Sequence, residues 1–239
     1  MTLPLSATRP SRALRLLAMD CAGDTLALAL TQGEAVRATA EEPGGARASE
    51  RLLPLAMDLL AAQGWTWADL DGIAFGRGPG AFTGLRTACA VAQGLALGLD
   101  RRLLPIDSLL IVAEDAAAQA GAALTHCTVA VDARMGELYH ARYQRLSQGW
   151  LTLREPGLGA PASLPQAPGD AWAGNGLALL PEAPPVTSWP QQQDRAGALG
   201  RLAVAAAQAE AWVDAADALP VYVRDKVALT TAERETIAS

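Results

Sequence analysis

Hydrophobic and polar positions divide the first half of the chain into short, regular units. Residues 14–20, LRLLAMD, and 25–31, TLALALT, are apolar runs of strand length separated by a short turn, the pattern of buried strands. Residues 34–40 alternate as a third strand would, with Gln32 and Gly33 as a tight hairpin turn. Ser49 has the chemistry of a helix N-cap, and helical spacing follows it to about residue 62; Pro54 within that span predicts a kink or a later start. A short strand over 71–76 leads into FGRGPGAFTGLR, residues 75–86, with four glycines and no acid. A helix over 83–99, a strand over 102–106 and a helix from Ser108 to about residue 121 follow.

The pattern then begins again. TVAVDARMGELYHARY (128–143) has the order of LRLLAMDCAGDTLALAL (14–30): apolar strand, Asp, short turn, second strand. Asp20 and Asp132 hold the same place in the two units. A hairpin restarted halfway predicts an α/β fold of two duplicated subdomains, mixed sheets flanked by helices. The first would occupy 14–122 and the second 123–226, between a flexible leader, 1–13, and a flexible tail, 227–239. Eight of the fifteen prolines fall between Pro156 and Pro190, so that stretch reads mostly as loop. Residues 171–176 read as a strand entering a helix through a Gly-Asn-Gly turn, 195–216 as an alanine-rich helix, and 220–224 as a final strand.

Composition narrows the function classes. The chain of 239 residues is 51% hydrophobic, much of it alanine. The uncharged helical stretch 87–99 falls short of the ~20 residues of a membrane span, so no membrane role is expected. Arg9, Arg12 and Arg15 fall in the first nineteen residues, which hold no acid, but no isolated apolar run of a secretory signal follows, which favours an irregular leader over a targeting segment. Cys21, Cys89 and Cys127 sit in apolar surroundings without zinc spacing and read as buried thiols of a reducing, cytoplasmic setting. A net charge of −6 with Lys226 as sole lysine argues against a chain that grips nucleic acid alone.

The glycine segment poses the main chemical question. Gly76-x-Gly78-x-x-Ala81 between strand and helix is a degenerate dinucleotide fingerprint, yet it follows the fourth strand and Pro79 supplies no amide. No lysine lies near it to reach a terminal phosphate. The competing reading is that these glycines let backbones pack closely. Asp20, Gly23 and Asp132 stand in turns that could face ATP phosphates and a metal, but Arg134 and Met135 occupy the second turn where small residues would be needed. His126 and His140, the two histidines, lack zinc spacing, and no Gly-x-Ser-x-Gly elbow is present. No catalytic or metal-ligating residue is therefore assigned. The helices over 49–62 and 83–99 are instead apolar on more than one face, which one sheet does not require. Leu52, Leu55, Ala56, Leu59, Leu85, Ala88 and Ala92 are the expected partner contacts, with Leu53 and Met57 marking the alternative face.

Five segments carry a family resemblance: LLAMDCAGDTLALAL, SERLLPLAMDLL, FGRGPGAFTGLRTACAVAQGLALGL, AVDARMGELYHARYQ and PVYVRDKVA. Together they resemble the TsaB (YeaZ) family in order from residue 14 to 228, and Gly-Arg-Gly-Pro-Gly-x-Phe-Thr-Gly is the most specific of them. The resemblance implies an actin-like ATPase (ASKHA) fold and a non-catalytic subunit of the machinery that makes threonylcarbamoyladenosine in tRNA. It implies pairing with a TsaD-like subunit through helices, joined by a TsaE-like ATPase, with a homodimer when alone. ATP, metal and tRNA would then be bound by the partners or the assembled complex. Ala48 stands where the family often has histidine, and Gly23 where relatives carry a hydroxyl; both departures point away from chemistry. A stand-alone nucleotide-binding enzyme and a glycoprotease-like peptidase are the alternatives.

Overall fold

The computed structural model describes residues 12–164, 169–182 and 187–224. The expected tail, Lys226 and the leader up to residue 11 lie outside the described residues. In chain order the elements are β1 (Arg15–Asp20), β2 (Thr25–Gln32), β3 (Ala35–Pro43), α1 (Ala48–Ala62), β4 (Gly72–Gly78), α2 (Phe82–Leu99), β5 (Arg102–Asp107) and α3 (Ser108–Ala120). They continue with β6 (His126–Asp132), β7 (Leu138–Arg145), β8 (Trp150–Gly159), β9 (Ala171–Ala173), β10 (Ser188–Trp189) and α4 (Arg195–Gln208).

Ten strands form two five-stranded mixed sheets, β3-β2-β1-β4-β5 and β8-β7-β6-β9-β10. The first three strands of each pair antiparallel, and the rest join in parallel. Each strand of the first sheet thus has a counterpart in the second, and β1, ending in Asp20, corresponds to β6, ending in Asp132. This is the duplicated actin-like arrangement. The copies differ in their helices: where α2 follows β4, only a short 3-10 turn, Asn175–Leu179, follows β9.

β1 and β2 read as continuous apolar runs because both faces of the first sheet are covered. Leu17, Met19 and Leu28 face a core shared with Leu52, Ala56, Phe75 and Ala88. Leu16, Ala18 and Ala29 face a second core with Leu199, Leu202 and Ala203 of α4. The second sheet packs Cys127, Val129 and Tyr143 against Leu109, Val112 and Ala116 of α3. The helix after each sheet's last strand therefore covers the other sheet, and α3 packs on α4.

Several local expectations change. Helix α1 starts at Ala48 without a side-chain cap, so Ser49 lies in its first turn, and the helix continues through Pro54. Pro54 is exposed, which leaves the freed carbonyl one turn back able to meet water. Helix α4 stops at Gln208 rather than 216: Glu210 takes a left-handed φ of 55°, and Val213 then bridges to Leu103. Residues 220–224 form no strand; Val221 N–H donates a single bond of 2.7 Å to the Arg77 carbonyl. β8 occupies part of the stretch read as loop.

Candidate functional site

The turns after β1 and β6 face one another across a cleft of about 430 Å³ lined by Gly23, Asp24, Ser108, Asp132, Arg134 and Arg195, among others. Asp20 lies beneath it, fully buried. One carboxylate oxygen accepts from the Ser108 hydroxyl at 2.8 Å. The other accepts two bonds from the Arg195 guanidinium at 2.6 and 3.0 Å, and Arg195 is itself buried. A carboxylate this deep requires such a partner. Asp20 is thus committed to the first turn of α4, with neither oxygen turned to the cleft for a metal or water. Asp132 accepts from the backbone N–H of Arg134 at 2.7 Å. The Arg134 side chain then crosses to Asp24 at 3.0 Å, joining the two turns. Tyr139 adds a second cross-cleft link, its hydroxyl donating to the Gly80 carbonyl at 3.3 Å. Phosphate-binding turns use open backbone amides and small residues, whereas Arg134 and Met135 occupy the second turn here.

The glycine segment packs β4 and α2 against the β1–β2 turn. A Cβ at Gly76 would collide with the Asp20 carboxylate, and one at Gly84 with the Cys21 carbonyl. The Ala81 N–H donates to the Ala22 carbonyl at 2.8 Å, closing the same contact. Close backbone approach accounts for these glycines without a ligand.

Burial pushes the Cys21 and Cys127 thiols up to about 12, keeping both protonated at neutral pH. Burial also raises the Asp107 carboxyl, which accepts from Tyr143 at 2.6 Å and caps α3 through the N–H groups of Leu109 and Leu110. No group of three His, Cys, Asp or Glu among the described residues is arranged to hold a metal.

The residues expected to contact a partner require correction. Leu52, Ala56, Leu85, Ala88 and Ala92 are at most 1% exposed, and Leu59 is 9% exposed. Leu55 is partly buried against the same core. This stripe fills the space between helices and sheet, so it presents no free surface. The opposite face is open: Leu53, Met57 and Leu97 are 39%, 56% and 74% exposed. Ala90 and Gly94 on α2 are exposed as well, and α1 and α2 pack side by side. Sequence periodicity identified two apolar faces on α1 but could not say which faced the sheet.

Comparison with known proteins matches this architecture. The family model described as TsaD: tRNA N6-adenosine threonylcarbamoyltransferase matches residues 39–175. The tRNA threonylcarbamoyladenosine biosynthesis protein TsaB of Escherichia coli K12 is 39% identical over 136 residues, 57% of this chain and 58% of that protein. Its Haemophilus influenzae counterpart is 37% identical over 133 residues, 55% of each chain. The matched stretch is thus under two thirds of these curated relatives. The solved structure of YeaZ from Pseudomonas aeruginosa is 33% identical and superposes with a TM-score of 0.78 over 87% of this chain and 99% of that one. The chain belongs to the TsaB (YeaZ) family, whose members are named for the biosynthesis of threonylcarbamoyladenosine in tRNA.

Proposed function

We propose that the chain is a non-catalytic, scaffolding subunit of the complex that transfers threonylcarbamoyl to the adenosine beside the anticodon of tRNAs reading ANN codons. It acts by pairing with a TsaD-like subunit through the outward face of α1 and α2, in the cytoplasm. Nucleotide, metal and tRNA are engaged by the partners, including a TsaE-like ATPase, or by the assembled complex. The observation that carries the reading is Asp20: the acid at the head of the actin-like cleft is buried against Arg195 and Ser108. The exposed row of Leu53, Met57 and Leu97 supports the pairing, and no described helix is long and apolar enough to cross a membrane.

Co-purification with the TsaD-like subunit, followed by a tRNA modification assay with and without this chain, tests the proposal. Modification should require the chain, and the chain alone should release no phosphate from magnesium ATP. A contact of standard size covers ~800 Å² per partner, and an aspartate at its centre leaves a desolvated, unpaired charge. Met57→Asp should therefore fold normally yet weaken the pair about 100-fold. Modification that proceeds without the chain, or ATP turnover by the chain alone, would overturn the reading.

A further inference from the structure

The outer stripe of α2 formed by Ala90, Gly94 and Leu97 begins one turn earlier at Arg86, which is also exposed. Arg86 is held in place by aromatic neighbours. Its guanidinium carbon lies 3.8 Å over the ring of Phe82, and its Nε donates to the Tyr222 hydroxyl at 3.2 Å. The Phe82 and Tyr222 rings are themselves in contact, with centroids 5.1 Å apart. Tyr222 is brought there by a return segment along α2. The Cys89 thiol donates to the Ala218 carbonyl, the Gln93 amide donates to the Ala215 and Ala218 carbonyls, and the Val221 N–H bonds Arg77. Among the described residues only the Nε–H of the five guanidinium N–H groups donates a hydrogen bond, and no carboxylate among them pairs with Arg86, in contrast to Arg134 and Arg224 nearby.

Beside it opens a socket of about 190 Å³ whose apolar lining is Phe82, Leu85, Tyr139, Val221 and the exposed Met135, with Arg134 and Arg224, each paired to an acid, also lining it. A cavity of roughly 150 Å³ is enough for one benzene ring. A planar guanidinium fixed by stacking is pre-organised for a carboxylate, because little side-chain freedom is lost when the two-pronged bond forms.

We propose that Arg86 receives a carboxylate of the protein partner docked on α1 and α2, and that the socket takes an apolar or aromatic side chain next to that acid. The inference rests on the helix-pairing reading above and adds the chemistry at one end of that surface. The continuity of the stacked, acid-free Arg86 with the exposed Ala90–Gly94–Leu97 stripe supports a protein occupant.

Titration of the TsaD-like subunit against variants of the full chain tests it, with thermal melting as a folding control. Arg86→Ala should weaken binding about tenfold or more, the effect of losing a charge-assisted hydrogen bond, and should flatten the salt dependence of association. Arg86→Lys keeps a point charge without the fork and should recover only part of the loss. Tyr222→Phe, which keeps the ring stack and removes the hydroxyl, should give a smaller loss. Arg86→Ala or Arg86→Lys binding within twofold of wild type, while Met57→Asp abolishes binding, would overturn the receptor and leave the helix pairing standing. Wild-type binding by Met57→Asp as well, or no binding by the unaltered chain, would overturn both. If Arg86→Ala does not fold, Arg86→Lys decides.

Discussion

Asp20 ties the end of β1 to the first turn of α4 through Arg195. Its carboxylate is buried, and both oxygens are taken by Arg195 and Ser108. Removing one member of a buried ion pair leaves the other charge unpaired, at a cost of about 3–5 kcal/mol. Asp20→Ala should therefore lower unfolding free energy by about that amount in a denaturant titration. Asp132→Ala, at the equivalent turn, should change it little, because Arg134 there is 70% exposed and the pair is open to solvent. Equal losses from the two variants would show that burial does not separate their roles. The doubled Asp was legible in the sequence as a repeat. Its partner was not, since Arg195 lies 175 residues away at the start of a helix recognised only by its alanines. Pairing at that distance is set by the fold, and no local pattern announces it. The bond from Arg86 to the Tyr222 hydroxyl, 136 residues further on, was invisible for the same reason.

Among elements, those buried on one or two faces were the legible ones. β1, β2, β4 and β5 appear as apolar runs, and α1 to α4 as helical periods, because packing imposes a period on the sequence. β8 escaped because it is an edge strand whose first half is mostly exposed, so its residues carry no alternation. α4 was read too long because alanine gives no stop signal where Glu210 reverses the chain. Residues 220–224 have strand composition without a strand partner. Helix α1 carries the sharpest consequence, since its two apolar faces have opposite fates. Leu59→Asp would place a charge in the core between α1 and the sheet, where an unpaired ion costs several kcal/mol. It should abolish the cooperative thermal transition, whereas Met57→Asp should melt as the unaltered chain does. A folded Leu59→Asp protein would mean that α1 can rotate its faces.

Across the whole molecule, the two sheets are locked by α3 and α4, each covering the sheet it does not follow. Stability should then report on both halves in one transition, and pH offers a way to read the second. His140 on β7 lies against β8; a Cβ at Gly157 would approach its ring to 3.1 Å. Burial, and then the charge of Arg154, lower its pKa below the ordinary 6.5. A proton therefore binds the unfolded chain more readily than the folded one, so this contribution is intact above about pH 6.5 and is lost as pH falls below it toward the folded value. The melting temperature should drop as pH falls below about 6.5. His140→Gln, which does not titrate, should flatten that part of the profile, and parallel profiles for the two proteins would discard the assignment. The duplication itself was legible at this scale from the repeated hairpin. The interlocking of the halves was not, because a sequence repeat does not say which sheet a connecting helix will cover.

The return of residues 215–222 along α2 also sets an order in time. A polypeptide leaves the ribosome N-terminus first, so α1 and α2 emerge well before the segment that finishes their flank and positions Tyr222. α4, which covers the back of the first sheet, is late as well. Under the proposed helix pairing, a nascent chain carries α1 and α2 without the completed surface, and pairing then belongs to the finished polypeptide rather than to one still being made.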